Sequence, residues 1–170
     1  MNYCNIKKVD IADGPGVRVS LFVSGCRNHC KGCFQPETWD FNYGQEFTAD
    51  TLNEIISAMN HDYISGLTIL GGDPMEPENI GCVMNICREV KQRYPSKSIW
   101  LYTGYTFPKV LEKLDSYGIT QLMNNIDVIV DGRFVEELKN LSLKFRGSSN
   151  QRIIDVHKTF ESGEIVLWEE

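Results

Sequence analysis

The chain has 170 residues, of which 42% are hydrophobic and 24% charged, and its formal net charge is -6. This composition is typical of a folded globule and argues against disorder, so we expect one domain spanning residues 1–170. Lysine and arginine are not clustered, which argues against a nucleic-acid partner. No apolar run approaches the ~20 residues of a membrane helix, and the first residues lack a signal-peptide apolar core. We therefore expect a cytoplasmic protein.

Strands and helices alternate along the predicted chain. Apolar and β-branched runs predict strands over residues 17–23, 67–70, 98–102 and 126–130. Apolar residues at helical spacing predict helices over residues 48–60, 77–94 and 108–118. Two further strands are predicted around a turn, over residues 151–156 and 163–169. This alternation, with near-continuously apolar strands, indicates an α/β fold with a parallel sheet.

Small and polar residues follow four of the predicted strands. The segments are "SGC" after residue 23, "GGDP" after residue 70, "TGY" after residue 102 and "DGR" after residue 130. In parallel α/β folds, ligands bind at the carboxyl ends of the strands. We therefore expect these four exits to lie along one edge of the sheet and to surround one cleft.

Six cysteines lie in a chain without secretory features, which favours metal or redox chemistry over disulfides. Three of them, Cys26, Cys30 and Cys33, follow the first predicted strand at a spacing that lets one loop surround a metal centre. A structural zinc site needs a fourth ligand, for which His29 is poorly placed and the remaining cysteines are distant. A 4Fe-4S cluster is the alternative, because three cysteines can hold three irons and leave the fourth open for a ligand.

The two motifs together, C-x3-C-x2-C after the first strand and Gly-Gly-acidic-Pro after the second, resemble the radical S-adenosylmethionine enzymes. The segments "DGPGVRVSLFVSGC" (13–26), "WLYTGY" (100–105), "DVIVDGRF" (127–134) and "RGSSNQR" (146–152) are similar to those of activating enzymes of anaerobic (class III) ribonucleoside-triphosphate reductase. This resemblance covers residues 13–152. It implies a partial (incomplete) β/α barrel with mostly parallel strands, of the radical S-adenosylmethionine type.

The resemblance also implies a mechanism and a set of site residues. Cys26, Cys30 and Cys33 would hold a 4Fe-4S cluster that cleaves S-adenosylmethionine reductively, and the 5′-deoxyadenosyl radical would take hydrogen from a glycine of the reductase. Gly71, Gly72 and Asp73 would position the methionine moiety. Gly32 stands where many radical enzymes have an aromatic residue, so we expect the backbone of residues 32–34, Gly32, Cys33 and Phe34, to contact adenine. A low-potential donor such as flavodoxin would reduce the cluster.

Several other residues have both a structural and a functional interpretation. Thr103 and Asp131 are either cofactor contacts or strand-end turn residues. Arg18, inside the first predicted strand, is a candidate core ion-pair partner. The segment 146–152 is either a hydrogen-bonded turn or a contact to the reductase or to the cofactor carboxylate. For the aromatic residues after the cysteine loop, Trp39, Phe41 and Tyr43, packing is favoured over a partner surface.

Three alternative functions compete with this interpretation. A non-catalytic zinc module would use the three cysteines and one more ligand, but it leaves "GGDP" unexplained. A ferredoxin-like electron carrier would need a fourth nearby cysteine. An activating enzyme of a different glycyl-radical enzyme would share the same site. For Cys82 and Cys87, on a predicted helix, we expect roles as small core residues.

Overall fold

The computed structural model describes residues 1–170, which form one open seven-stranded sheet with helices. The strands, in chain order, are Asn2–Asp10 (β1), Val17–Val23 (β2), Gln45–Glu46 (β3), Ile64–Gly71 (β4), Ser98–Tyr102 (β5), Val128–Asp131 (β6) and Arg152–Asp155 (β7). Their order across the sheet is β3-β1-β2-β4-β5-β6-β7. The four central strands β2, β4, β5 and β6 are parallel, and the edge strands pair antiparallel. The predicted α/β fold with a parallel sheet is confirmed for these central strands.

Five α-helices connect or follow the strands: Ala49–Met59 (α1), Pro77–Arg93 (α2), Phe107–Glu112 (α3), Ser116–Asn125 (α4) and Val156–Ser162 (α5). Two short 3-10 helices cover Pro36–Trp39 and Glu136–Leu138. Thr48 caps α1 through its side chain, and Pro77 stands in the first turn of α2, where a missing N–H costs nothing. No helix combines the length and apolar character that crossing a bilayer demands.

The two faces of the sheet are covered differently. One face packs against the helices, and its alternating strand residues form the main core with side chains of α1, α2 and α4, among them Leu21, Ile69, Leu101, Ile55, Val83 and Leu122. On the other face Trp100, Val128 and Val130 pack with Phe145 and Trp168, which belong to no helix. The helix-free face therefore borders a cavity instead of a second helical layer.

Most predicted elements are confirmed, with small shifts at their ends. The strands over residues 17–23 and 98–102 are β2 and β5, at the predicted bounds. The helices over residues 48–60 and 77–94 are α1 and α2; α1 is one residue shorter at each end, and α2 ends one residue earlier. The strand over residues 67–70 is longer in the structure, because β4 begins at Ile64 and ends at Gly71.

The helix predicted over residues 108–118 is wrong in extent, because two helices occupy this region and its continuation. Asp115 accepts a hydrogen bond from the N–H of Gly118 at 2.7 Å and starts α4. This N-cap lies inside the predicted helix, so Gly118 belongs to the first turn of α4 and does not end α3.

Two strand predictions also need correction. Residues 163–169 do not form a strand: α5 follows β7 directly, capped by Asp155, and only an isolated bridge joins Ile154 to Leu167. At the other end of the chain, β1 was not predicted. Register shifts between Tyr3 and Asn5 and again after Lys7 interrupt its pairing with β2. Such irregularities remove the two-residue alternation by which a strand is identified.

The prediction that Arg18 joins a core ion pair is wrong. Its side chain is fully buried, but it donates to hydroxyl groups of Thr68 and Ser98 and to backbone carbonyls, not to a carboxylate. Burial lowers the pKa of Arg18 to about 10, and Trp100 lies 5.7 Å from the guanidinium carbon. Arg18 thus links β2, β4 and β5 through neutral acceptors.

All six cysteines are free thiols. Cys87 is fully buried in the main core, and Cys82 packs against that core from a half-buried position. Their predicted role as small core residues is therefore confirmed.

Candidate functional site

The exits of the four parallel strands meet around one cavity of about 650 Å³, on the helix-free face of the sheet. Its wall includes residues from each predicted exit segment, among them Cys26, Gly72, Thr103 and Gly132. The expectation that the four exits surround one cleft is therefore confirmed. The volume lies within the range of small-molecule sites.

All three cysteines of the motif line this cavity. Cys26 is buried, with 9% of its surface exposed, while Cys30 and Cys33 are half-buried. Burial raises the pKa of the Cys26 thiol to about 11. No histidine lines the cavity, and no three His, Cys, Asp or Glu side chains converge on a position for one metal ion. The sulfur donors that line the cavity are thus the three thiols of the motif.

The start of the loop that carries the cysteines, residues 24–35, is held by backbone hydrogen bonds to the 3-10 helix that follows the loop. Gly25 donates its N–H to the carbonyl of Thr38 at 2.7 Å, and Cys26 donates to the carbonyl of Trp39 at 3.2 Å. His29 has a positive φ of 45° and stacks on Trp39 with the ring centroids 4.4 Å apart. Packing of Trp39 beneath the loop is therefore observed, and His29 is directed to that ring.

The glycines of the "GGDP" turn are required by close approach of two strand exits. Gly71 has φ +110°, and a Cβ there would lie 2.6 Å from backbone atoms of Val23. A Cβ on Gly72 would lie 2.6 Å from the carbonyl oxygen of Gly25. The N–H groups of Gly72 and Asp73 already donate to Val23 and Gly25, at 2.7 and 2.8 Å. The remaining hydrogen-bonding capacity of this turn lies in its carbonyl oxygens.

Asp73 lines the cavity, but its carboxylate serves the protein itself. It is 1% exposed and accepts hydrogen bonds from Asn28 Nδ2, the N–H of Met75, the Thr103 hydroxyl and the N–H of Gly104, all between 2.8 and 2.9 Å. These four donors use the acceptor sites that a carboxylate offers. Burial raises the pKa of Asp73 to about 6 against the effect of these bonds. Asp73 thus joins the cysteine loop to the exits of β4 and β5.

Two further buried polar side chains support the same region. Asn79 on α2 donates from its amide to the carbonyls of Ser24 and Asp73, both at 3.0 Å. Glu76, at the start of α2, binds Arg27 of the cysteine loop through its carboxylate. Sequence reasoning did not identify either residue. The sequence signal for Glu76 was an acidic residue shortly after the end of β4, together with an arginine, Arg27, shortly after the end of β2.

Gly32 and Phe34 lie in the outer part of the cysteine loop. Gly32 is exposed and has φ +74°, and it is not part of the cavity wall. Phe34 lines the cavity although it is 66% exposed, and its ring lies 5.2 Å from that of Phe134. The structure thus brings Phe34, but not Gly32, to the cavity with the three cysteines.

The two strand-end residues Thr103 and Asp131 have different positions. Thr103 lines the cavity and donates to Asp73. Asp131 lies outside the cavity wall, where its carboxylate accepts from the N–H of Phe107 at 2.7 Å and from the guanidinium of Arg152 at 2.5 and 3.0 Å. The structural interpretation as a strand-end residue therefore fits Asp131.

The segment 146–152 is a hydrogen-bonded turn, as one of its two interpretations expected. Gln151 accepts from the N–H groups of Gly147 and Ser148 and donates to the carbonyl of Gly132. Arg146, Gly147 and Gln151 nevertheless line the cavity. The turn therefore fixes one wall of the site, beside Phe34 of the cysteine loop.

Sequence reasoning also missed a pair of carboxylates, Asp10 and Asp13, of which Asp13 lines the cavity. Burial, followed by the neighbouring Asp10 carboxyl, raises the pKa of Asp13 to about 7. Although burial disfavours its charge, the hydrogen bond from the N–H of Ala12 at 2.9 Å helps to lower the pKa of Asp10. Burial and the neighbouring carboxyl thus favour the protonated form of Asp13 at the cavity wall.

Comparison with known proteins agrees with this site. The 4Fe-4S single cluster domain family matches residues 12–154. An anaerobic ribonucleoside-triphosphate reductase-activating protein from Enterobacteria phage T4 is 42% identical over 153 residues, 90% of this chain and 93% of that relative. The protein of the same name from Escherichia coli (strain K12) is 42% identical over 155 residues, 89% of this chain and 96% of the relative. The one from Vibrio cholerae serotype O1 is 40% identical over 155 residues, with coverage of 90% and 97%.

Proposed function

This chain belongs to the 4Fe-4S single cluster domain family and is a relative of the anaerobic ribonucleoside-triphosphate reductase-activating proteins, and on that premise we propose that it is a radical S-adenosylmethionine enzyme. Its substrate is one glycine of an anaerobic ribonucleoside-triphosphate reductase, which it converts to a glycyl radical. The observation that carries the proposal is the cavity at the four strand exits, because three thiols and a glycine turn face the same space.

The residues at the cavity fit a cluster with one open iron. Cys26, Cys30 and Cys33 would ligate three irons, and no further cysteine or histidine lines the cavity to take the fourth. The family match supports an iron–sulfur centre over the zinc module. Because a thiol binds metal as the thiolate, loading displaces a proton from Cys26, whose thiol is protonated at neutral pH.

The chain's remaining task is to bind and orient S-adenosylmethionine. When bound and reduced, the cluster would supply the one electron that breaks the sulfonium S–C5′ bond into methionine and a 5′-deoxyadenosyl radical, and that radical would take a hydrogen atom from the glycine Cα. The carbonyl oxygens of Gly71 and Gly72 would accept from the amino group of the methionine moiety. Asp73 orients that turn through its four hydrogen bonds. The backbone of Cys33 and Phe34, which line the cavity, would contact adenine.

The open sheet suits a protein substrate. We infer that residues 1–170 form one domain whose sheet is the arc of a partial β/α barrel, since helices cover one face and the cavity lies on the other. An incomplete barrel leaves a lateral opening through which an extended glycine-bearing segment can enter. A low-potential protein such as flavodoxin would supply the electron, and the reaction would take place in the cytoplasm.

The proposal is tested with anaerobically reconstituted protein. The protein is loaded with iron and sulfide, reduced with dithionite and mixed with S-adenosylmethionine, and 5′-deoxyadenosine is measured by chromatography. We expect product from the wild type and none from Cys30→Ala. A wild-type protein that binds and reduces its iron but forms no product would contradict the radical mechanism and favour an electron carrier. Product formation followed by radical transfer only to another glycyl-radical enzyme would favour the alternative activating enzyme.

A further inference from the structure

One buried carboxylate ties the cysteine loop to the start of α2. The side chain of Glu76 is 0% exposed. Its Oε1 accepts from the backbone N–H of Arg27 at 2.8 Å and from the Tyr105 hydroxyl at 3.0 Å, and its Oε2 accepts from Nη1 of Arg27 at 2.7 Å. Since Arg27 directly follows Cys26, this carboxylate fixes the backbone beside the most buried cysteine of the motif.

The local geometry shows that Glu76 is directed to the loop and not to its own helix. Glu76 occupies the N-cap position of α2, where an acidic side chain commonly accepts from the N–H groups of the first turn. Its side chain makes no such hydrogen bond. The buried charge is instead satisfied by donors from two other strand exits, which is the condition under which a buried carboxylate is tolerated.

The arginine on the other side of this contact has further partners. The Arg27 guanidinium also binds the carboxylate of Glu78 and lies 4.5 Å from the centroid of the Phe41 ring. Glu78 is about half exposed, with 48% of its side-chain surface accessible, whereas Glu76 is inaccessible. The two carboxylates therefore share one arginine, but only Glu76 reaches the loop backbone.

We propose that Glu76 is the positioning residue of the cysteine loop and holds Cys26 in its buried place before any cluster is bound. It contributes no ligand, and acts through the N–H and guanidinium of Arg27. This inference rests on the proposed function only in that Cys26 counts as a cluster ligand. Loss of the anchor removes the acceptor shared by the Arg27 N–H, the Arg27 guanidinium and the Tyr105 hydroxyl and lets the loop open locally while the core remains folded.

The test uses the metal-free, full-length protein. The alkylation rate of each cysteine with iodoacetamide is followed by mass spectrometry for the wild type, Glu76→Ala, Glu76→Gln and Glu78→Gln. We expect Cys26 to react about tenfold faster or more in Glu76→Ala, with a smaller increase in Glu76→Gln, which keeps the shape and one acceptor oxygen. Cys87, fully buried in the core, reports global unfolding and should keep its wild-type rate. Glu78→Gln is the matched control and should leave Cys26 unchanged.

Amide hydrogen exchange at Arg27 provides a readout that does not depend on the ionisation of the thiol. We expect its protection to be lost in Glu76→Ala and retained in Glu78→Gln. An unchanged Cys26 rate with retained Arg27 protection would overturn the anchor role, and so would equal acceleration of Cys26 and Cys87. If Glu76→Ala does not fold, Glu76→Gln decides by the same criteria.

A second arm links the anchor to the cluster. In reconstituted protein, iron release to a chelator should be several-fold faster in Glu76→Gln than in the wild type or Glu78→Gln, because a mobile loop releases its ligands sooner. Equal release rates in all three proteins would contradict a role of the anchor in cluster retention. A wild type that takes up no cluster would remove the proposed function, whereas the metal-free arm would still decide the position of the loop.

Discussion

The exits of β4 and β6 carry similar short sequences, "GGDP" and "DGR", but their aspartates are used differently. Both Asp73 and Asp131 are 1% exposed. Asp131 lies outside the cavity wall and binds the guanidinium of Arg152. Asp73 lies at the cavity and accepts only from neutral donors. They are Asn28 of the cysteine loop, Thr103 and Gly104 after β5, and Met75 of its own turn. A strand-end aspartate can thus be a paired structural charge or the junction of a binding site.

The two strand exits differ in how the charge of their aspartate is compensated, and this distinguishes the β4 exit at the cavity from the β6 exit. Neutral donors leave the negative charge of Asp73 uncompensated, and burial raises its pKa to about 6. At Asp131 the bound guanidinium of Arg152 compensates the charge, and the Arg152 side chain is 38% exposed and can be hydrated. The β4 exit therefore depends on the hydrogen bonds of Asp73, while at the β6 exit water can replace the carboxylate at the guanidinium of Arg152.

The largest expected effect comes from removing the two carboxylates in turn. Asp73→Ala leaves four donors without their acceptor, and we expect the free energy of unfolding to fall by about 3–5 kcal/mol. Asp131→Ala frees a guanidinium that water can reach, and the expected loss is about 1–3 kcal/mol. Urea unfolding of both metal-free variants measures the difference. Equal losses, or a larger loss at Asp131, would contradict the comparison.

A smaller effect is expected from the glycines of the same two exits. In Gly72→Ala the new methyl would lie 2.6 Å from the Gly25 carbonyl oxygen, which costs about 1–3 kcal/mol and displaces the backbone next to Cys26. In Gly132→Ala the nearest heavy atom is 3.7 Å away, so the cost is backbone strain at φ +98° of about 1–2 kcal/mol. Iron content after reconstitution should fall in Gly72→Ala and stay at the wild-type level in Gly132→Ala. The reverse order would show that the "GGDP" turn does not support the cysteine loop.

The smallest effect concerns Asp13, which is the other carboxyl at the cavity and, like Asp73, has no bound guanidinium. Its pKa rises from 3.8 to about 7 on folding, so the folded protein holds this proton more tightly than the unfolded chain. Its stabilising contribution is complete below about pH 4 and is lost as the pH rises through about 7. Asp13→Asn should therefore gain stability relative to the wild type between pH 5 and pH 8, by about 1 kcal/mol after discounting for partial exposure. A difference that does not change with pH would contradict the raised pKa of Asp13.

The chain's sequence predicts the central strands and their exits well, because these features depend on local patterns. Residues 17–23 are rich in apolar and β-branched side chains, which is typical of a buried strand, and the parallel arrangement brings the polar exits together. β1 was not predicted because its register shifts remove the alternation. The start of α4 was missed because Asp115 acts as a cap inside a run of helix-forming residues.

The candidate site was predicted only where chemistry appears in a short motif. The cysteine motif (Cys26, Cys30 and Cys33) and the "GGDP" turn are each a short stretch of sequence, and both face one cavity. Glu76 was missed because its partner Arg27 is 49 residues away. The Asp10–Asp13 pair was missed because the raised pKa of Asp13 depends on burial that the sequence does not encode locally. Contacts between residues at the ends of different strands can be identified only once the fold is known.

The most direct test of the account is transfer of hydrogen from the reductase glycine. The reconstituted chain is mixed anaerobically with S-adenosylmethionine and the anaerobic ribonucleoside-triphosphate reductase of the same organism, in which glycine carries deuterium at Cα. Electron paramagnetic resonance and mass spectrometry then follow the radical and the 5′-deoxyadenosine. We predict a glycyl radical and one deuterium in the 5′-deoxyadenosine, neither of which appears with Cys30→Ala. Cleavage of S-adenosylmethionine with neither deuterium transfer nor a glycyl radical would contradict the assignment of the reductase glycine as substrate.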